Sequence, residues 1–170
     1  MITSAPAPKN AAGKITELYS FGSRSFTIRT ADGGFVWDSG DDFEQLTAQV
    51  FPGNFNASNS NNEFDNRSDD KGPEPENVVV GEINRRNYAF VGLERIGGVM
   101  VYDVTDPSAP VFQQYLTTRV FPADPEDDTV SPDGGPEGLV FVSGKDSPTG
   151  QPLLIVGNES TGTVNIFQLA

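Results

Sequence analysis

Four glutamates recur at equivalent positions from residue 75 onwards. Glu76 and Glu137 each follow a proline, whereas Glu94 and Glu159 each stand two residues after a glycine. Carboxylates that are brought together repel one another unless a cation, a basic side chain or a proton neutralises them. Oxygen-only donors are the ligands that a hard divalent cation such as Ca²⁺ prefers. The sequence therefore predicts a metal site formed by Glu76, Glu94, Glu137 and Glu159.

A structural role is the alternative explanation for these glutamates. Each would then accept hydrogen bonds from the amide groups of a turn and fix the joint between two repeated units. If the metal site forms, backbone carbonyls and the carboxamides of Asn77 and Asn158 are candidate further ligands. Calcium is the expected ion, and the residues do not distinguish it from other divalent ions.

The composition excludes several classes of site. The 170 residues include no histidine and no cysteine, which rules out disulfides, thiolate nucleophiles, iron–sulfur clusters and any Ser–His or Cys–His pair within the chain. There are 11 basic and 24 acidic side chains, a net charge of −13 that disfavours nucleic acid and anionic membranes as partners. No apolar run reaches the ~18 residues that a membrane span needs, so we expect no membrane insertion. Residues 1–14 have the composition of a linker.

An internal repeat is the most informative feature of the sequence. VGLERIGGVMVYDV at residues 91–104 aligns without gaps on VGNESTGTVNIFQL at residues 156–169, and PENVVV at residues 75–80 aligns on PEGLVF at residues 136–141. Each unit therefore predicts a Pro-Glu pair, a strand, a hairpin, a second strand, a tight turn and a third strand.

The local patterns predict an all-β chain with a single short helix. Apolar and β-branched residues between turn residues predict strands at 25–30, 35–39, 87–93, 98–104, 111–116, 139–143, 152–157 and 162–169. A helix is expected at residues 41–50, followed by polar loops at 53–75 and 121–136. Residues 54–70 are rich in Asn and Asp, so we expect this part of the first loop to be solvated.

Repeated antiparallel sheets of this size favour a β-propeller over a β-sandwich, which would not require the repeated glutamates. Residues 15–170 would form a partial propeller of about two to three blades, consistent with the C-terminal blades of a larger one. A closed propeller needs at least about four blades. The expected partners are therefore the remaining blades or a second copy of the chain, since an unclosed array would expose apolar faces.

Long consecutive motifs resemble a known family. The stretches at residues 68–116 and 134–169, together with YSFGSRSFTI at 19–28 and DGGFVWDSGDDFE at 32–44, resemble choice-of-anchor I proteins. This family includes the mesenchyme-specific cell-surface glycoproteins of biomineralising animals and bacterial secreted proteins labelled alkaline phosphatase. VYDVTDPSAPVF at residues 101–112 further resembles the LVIVD-type propeller repeat.

The resemblance implies an extracellular or cell-surface propeller with a role in adhesion or mineral contact. A non-catalytic, calcium-binding propeller segment is the first functional hypothesis. The alternative is part of an alkaline phosphatase-like phosphomonoesterase that uses calcium and iron. The resemblance then implies metal binding by the four repeated glutamates and phosphate binding by Arg67 and Arg95.

Overall fold

The described residues form three antiparallel β-sheets and one short helix. A computed structural model describes residues 8–17, 22–122 and 133–170. Sheet A contains β1 (Thr27–Arg29) and β2 (Phe35–Asp38), and the helix α1 (Asp42–Val50) follows it. Sheet B contains β3 (Pro75–Ile83), β4 (Arg86–Leu93), β5 (Val99–Asp103) and β6 (Val111–Leu116), and sheet C contains β7 (Pro136–Val142), β8 (Leu153–Asn158) and β9 (Thr163–Gln168). The mostly β composition and the predicted helix are confirmed.

In sheets B and C, consecutive strands are neighbours and pair antiparallel. A tight turn joins β3 to β4. Between β3 and β4, Asn84 and Arg85 both have positive φ values, +52° and +66°, as a two-residue hairpin turn requires. Gly33 has a φ of +90° and lies in the Asp-Gly turn that closes the hairpin of sheet A.

Sheet B lies between two apolar clusters. One face, which includes Val91, Met100 and Tyr102, packs against sheet A, α1 and the segment that follows the helix. Tyr102 makes edge contacts with Phe26 and Phe43, with ring centroids 5.2 and 6.2 Å apart. Burial on both faces explains why β5 is apolar at successive positions.

The opposite face of sheet B packs on sheet C. Phe90, Val99 and Val101 meet Leu139 and other apolar residues of the second sheet. The strands β3 and β7 are the closest neighbours across this interface. Phe90 stacks on the ring of Phe141 at 6.0 Å between centroids. The two repeated units therefore lie next to each other and share one apolar interface.

The repeat extends to irregularities of the backbone. The β3–β4 pairing shifts register between Pro75 and Asn77, and the β7–β8 pairing shifts at the equivalent place, between Pro136 and Gly138. The turns that follow β4 and β8 also match, because the amide of Gly97 donates to the carbonyl of Leu93 and the amide of Gly162 donates to that of Asn158. The two sheets therefore share one local design.

The expectation of a solvated loop at residues 54–70 is wrong for part of that segment. Asn56 and Ala57 are fully buried, and Ser58 and Asn62 are nearly so. Polar side chains can be buried here because they bond one another and the backbone. The carboxamide of Asn54, for example, donates to the carbonyl of Asn62.

The predicted N-terminal linker and the second polar loop are only partly described. Within the expected linker, Lys9 forms an isolated antiparallel bridge with Ile15. Most of the second polar loop, residues 123–132, lies outside the described residues, as do residues 1–7 and 18–21.

Candidate functional site

A cluster of three carboxylates lies where β3 begins and β4 ends. Antiparallel pairing places Pro75 opposite Leu93, so Glu74, just before β3, and Glu94, just after β4, meet at the same end of these two strands. The amide of Glu94 donates to the carbonyl of Glu74 at 2.9 Å. Glu74, Glu76 and Glu94 each contribute a carboxylate oxygen to a group whose members all lie within 4.8 Å of one another.

Glu74 is the buried centre of this cluster. Three nitrogen atoms lie close to its carboxylate oxygens: Nη2 of Arg67 at 2.5 Å, Nζ of Lys71 at 2.6 Å and Nε of Arg95 at 3.1 Å. Burial alone would raise the pKa of Glu74, but hydrogen bonds from Arg95, Lys71 and Arg67 outweigh it and lower the pKa to about 2. Glu74 is therefore ionised under all ordinary conditions.

Glu94 has the opposite electrostatic character. Burial raises its pKa, Arg95 opposes that shift, and the negative charges of Glu74 and Glu76 add to it. Nη1 of Arg95 lies 2.8 Å from Oε1 of Glu94, and the carboxamide of Asn59 donates to the same oxygen at 3.3 Å. Glu76 is more exposed, and its Oε1 lies 3.7 Å from Nζ of Lys71. Glu74 is thus paired with three cationic side chains, whereas Glu76 and Glu94 each have one.

The backbone of Glu74 is in the left-handed region, with a φ of +51°. The equivalent residue of the second unit is Gly135, with a φ of +74°. The amide of Glu159 donates to the carbonyl of Gly135 at 2.8 Å, as the amide of Glu94 does to Glu74. A left-handed conformation suits glycine and is strained for glutamate. The prediction from the sequence omitted Glu74, although a glutamate aligned with a repeat glycine was a signal that could have identified it.

The structure brings two of the four predicted metal ligands together. Glu76 and Glu94 belong to the cluster, whereas Glu137 and Glu159 on sheet C are exposed. In the part of the chain that the structure describes, these two are not members of a group of three carboxylates, because Gly135 stands where sheet B has Glu74. Asn158, a candidate further ligand, is buried, and its amide donates to the side chain of Thr163 at 3.1 Å.

The two arginines predicted to bind phosphate both bind carboxylates. Arg67 contacts Glu74 and also Asp70, with Nη2 2.5 Å from Oδ2 of the aspartate. Arg95 bridges Glu74 and Glu94. A phosphate at either guanidinium would therefore have to compete with a carboxylate that is already paired with it.

Arg119 fastens the loop beside the cluster. It is 6% exposed and donates to the carbonyls of Ser58 and Asn61 on one side and Arg95 and Ile96 on the other. Its guanidinium also lies 4.2 Å from the centre of the Phe121 ring. Burial lowers the pKa of Arg119 to about 10, which leaves the side chain charged at neutral pH. The loop at residues 58–62 is therefore held against the turn that carries Glu94.

Asn59 extends these contacts to sheet C. Its carboxamide oxygen accepts a bond from Nη1 of Arg95 at 3.0 Å, and its amide donates to Oγ of Ser160 at 2.8 Å. The carboxylate cluster is thus joined through one side chain to the β8–β9 turn. The site lies where the loop and both repeated sheets meet.

Comparison with known proteins places this fold and site in a family. The profile of the choice-of-anchor I domain matches residues 2–107, more than half of the chain. The chain belongs to the choice-of-anchor I domain family. The carboxylate cluster lies within the matched residues, and sheet C lies beyond them.

Two curated proteins are similar to this choice-of-anchor I chain. Gigasin-3a from Magallana gigas is 32% identical over 168 residues, which cover 92% of this chain and 59% of the relative. The mesenchyme-specific cell surface glycoprotein of Strongylocentrotus purpuratus is 30% identical over 112 residues, or 57% of this chain and 14% of the relative. The chain therefore spans less than two thirds of either relative. No solved structure matches it significantly, and the structure contains no helix, among its described residues, that is long and apolar enough to cross a membrane.

The atoms that the cluster could offer as ligands are of the type that a hard cation prefers. Its three carboxylates supply oxygen atoms only, as Ca²⁺ prefers. The ammonium of Lys71 lies between Glu74 and Glu76, at 2.6 and 3.7 Å. A divalent ion would therefore take the place of this ammonium, which stands on the loop rather than on a sheet.

Proposed function

We propose that this chain is a non-catalytic interaction domain of a secreted or cell-surface protein, with a role in adhesion or mineral contact. Membership of the choice-of-anchor I family supports this proposal, as does the similarity to a protein named as a cell surface glycoprotein. At the carboxylate cluster, the cationic side chains of Arg67 and Arg95 hold carboxylates. That arrangement favours a role in binding and stabilisation over phosphate chemistry.

The proposed architecture is a set of consecutive β-propeller blades. Sheets B and C are antiparallel meanders with matching bulges and turns, and the first strand of each lies beside the first strand of the other. Such face-to-face packing of repeated sheets is what neighbouring blades require. Sheet A would belong to the preceding blade.

The proposed ligand is Ca²⁺, held by Glu74, Glu76 and Glu94. The observation that carries this proposal is the approach of three carboxylates to within 4.8 Å at the joint between the loop and the sheets. Bound calcium would offset the negative charges of Glu74 and Glu76, which add to the effect of burial in raising the pKa of Glu94. It would also join Glu74, at the end of the polar loop, to Glu76 and Glu94 of sheet B.

Thermal unfolding with 1 mM CaCl₂, MgCl₂ or EDTA tests the calcium proposal. A ligand that binds only the folded chain raises the melting temperature by mass action. We expect calcium to raise the melting temperature of the wild type and of Glu137→Gln, but not that of Glu94→Gln. Glu137→Gln is the matched control because Glu137 is the exposed repeat equivalent of Glu76. An identical melting temperature of the wild type in calcium and EDTA would count against the proposal.

Co-sedimentation with calcium carbonate particles tests the interaction itself. A chain with a charge of −13 should adsorb to a surface that presents calcium ions, and salt should weaken that adsorption. We expect most of the protein in the pellet at low salt. Equal recovery in the supernatant with and without particles would contradict a mineral-contact role.

A further inference from the structure

The outer face of sheet C is apolar, and no described residue covers most of it. Val140, Val164 and Ile166 are 54%, 64% and 64% exposed. Ile155 pairs with both Val140 and Ile166, so Val140, Ile155 and Ile166 form one row across the three strands. The same face carries no charged residue, although the chain as a whole has a net charge of −13; its members are Gly138, Val140, Val142, Leu153, Ile155, Gly157, Val164, Ile166 and Gln168. Of these, Leu153 is buried, with 9% of its surface exposed.

The repeat shows what covers the equivalent face of sheet B. Val79, Phe90 and Val101 form the matching cross-strand row there, since Phe90 pairs with both valines. Phe90 is 1% exposed and Val101 7% exposed, because sheet C packs on them. A face of this design is therefore covered by another sheet of the same repeat.

Glycines permit the close approach of the covering sheet. A Cβ atom at Gly92 would lie 3.3 Å from Cδ1 of Leu139, and one at Gly81 would lie 2.4 Å from the ring of Phe141. Leu139 and Phe141 are thus the side chains of β7 that reach sheet B. The repeat equivalent of Gly92 is Gly157, which again lacks a side chain in the middle of the uncovered face.

The chain itself carries a strip of the required kind. By the repeat alignment, Val78 and Val80 of β3 are the equivalents of Leu139 and Phe141. They are 54% and 57% exposed, so the apolar cluster on that side of sheet B leaves them free of cover. β3 is an edge strand and begins with the same Pro-Glu pair as β7.

We propose that the outer face of sheet C docks a second copy of this chain through the strip of Val78 and Val80 on β3. The contact is head to tail, because the two surfaces are different parts of the molecule. Val80 of one copy would lie over Ile155 of the other, as Phe141 lies over Phe90 within the chain. The association does not depend on calcium, so its failure and that of the proposed calcium site are separate results.

Sedimentation velocity over a range of protein concentrations in EDTA tests this association. The wild type should associate reversibly, and more strongly at higher salt, because salt screens the repulsion between two chains of charge −13. Ile166→Asp should weaken association by at least about tenfold, because it buries a charge without a partner. Val111→Asp is the matched control, a 57% exposed position on β6, and should change it by less than about twofold. Circular dichroism of each variant confirms that it folds.

Cross-linking identifies the surfaces. Since the wild type has no cysteine, Val80→Cys and Ile155→Cys each introduce one thiol without background. An equal mixture should yield the mixed Val80–Ile155 disulfide several times more abundantly than either homodimer. A wild type that is monomeric at all concentrations would overturn the proposal, and the face would then belong to a sheet of a longer chain. Preferential Ile155–Ile155 cross-linking would also overturn it, by showing face-to-face pairing.

Discussion

Glu74 and Gly135 occupy the same position in the two repeated units, with backbone φ values of +51° and +74°. Each accepts a hydrogen bond at its carbonyl from the amide of the next repeated glutamate, Glu94 in one unit and Glu159 in the other. A left-handed glutamate costs about 1–2 kcal/mol relative to glycine. In sheet B, the three cations around the carboxylate of Glu74 offset that cost. The same backbone conformation therefore supports a cluster of charged side chains at sheet B and a turn without such a cluster at sheet C.

Replacing Glu74 by glutamine should destabilise the fold by about 2–4 kcal/mol, because it removes the negative charge on which Arg67, Lys71 and Arg95 converge. Urea unfolding followed by the fluorescence of Trp37, the single tryptophan, measures the change. Glu137→Gln, at an exposed site, should stay within about 0.5 kcal/mol of the wild type. Equal effects of the two substitutions would show that the cluster does not stabilise the fold.

Acid should destabilise the wild type through the same residue. The pKa of Glu74 is about 2 in the folded protein against an ordinary 4.5, so below pH 4.5 the unfolded chain binds more protons than the folded one. The stability that Glu74 contributes above pH 4.5, about 3 kcal/mol, is lost as the pH falls towards 2. Glu94 opposes this trend because its pKa is raised. We expect urea unfolding of Glu74→Gln between pH 5 and 2.5 to show a smaller loss than the wild type, and parallel curves would refute the assignment.

Arg119→Met should loosen the loop at residues 58–62. The substitution keeps an apolar stem but leaves the carbonyls of Ser58 and Arg95 without their donor, which should cost about 2–4 kcal/mol. Trypsin cleavage after Arg67 or Lys71 should become several times faster, because the adjacent loop opens more often. Lys145→Met, at an exposed site, is the control and should leave the rate unchanged. A loop that resists trypsin equally in both variants would contradict the role of Arg119.

Packing of sheet B on sheet C should depend on Gly81. An alanine there would place its Cβ 2.4 Å from the Phe141 ring, an overlap that should cost about 1–3 kcal/mol. Gly138→Ala is the matched control, because a Cβ at this strand glycine meets nothing within 4 Å. Chemical unfolding of both variants at low protein concentration measures the difference. Similar stabilities would mean that the two sheets are not in contact at Phe141.

The sequence was sufficient to predict most strands, the helix and the repeat that relates sheets B and C, because these follow from local patterns. Turn residues and β-branched runs define β4 and β5 within one or two residues, and the repeat relates them to β8 and β9. The family resemblance is likewise confirmed, since it rests on long consecutive motifs.

The parts that were missed depend on contacts between distant segments. Nothing in the composition of residues 54–70 indicates that Asn56 is fully buried, since its burial depends on bonds from its amide to Glu44 and Ser68. Likewise, the pairing of Arg67 and Arg95 with one carboxylate follows from the fold of the loop onto sheet B. Identical glutamates in a repeat predict equivalent backbone positions, but the neighbouring residue at position 74 or 135 decides whether carboxylates converge.

Calcium titration by isothermal calorimetry at pH 7 is the most direct test of the proposed site. We expect one calcium ion per chain for the wild type, and loss of binding in Glu94→Gln. We also expect at least about threefold tighter binding in Lys71→Met, because the ammonium that lies between Glu74 and Glu76 no longer competes with the metal. Absence of binding to both the wild type and Lys71→Met would contradict the calcium site and identify the cluster as an internal ion-pair network.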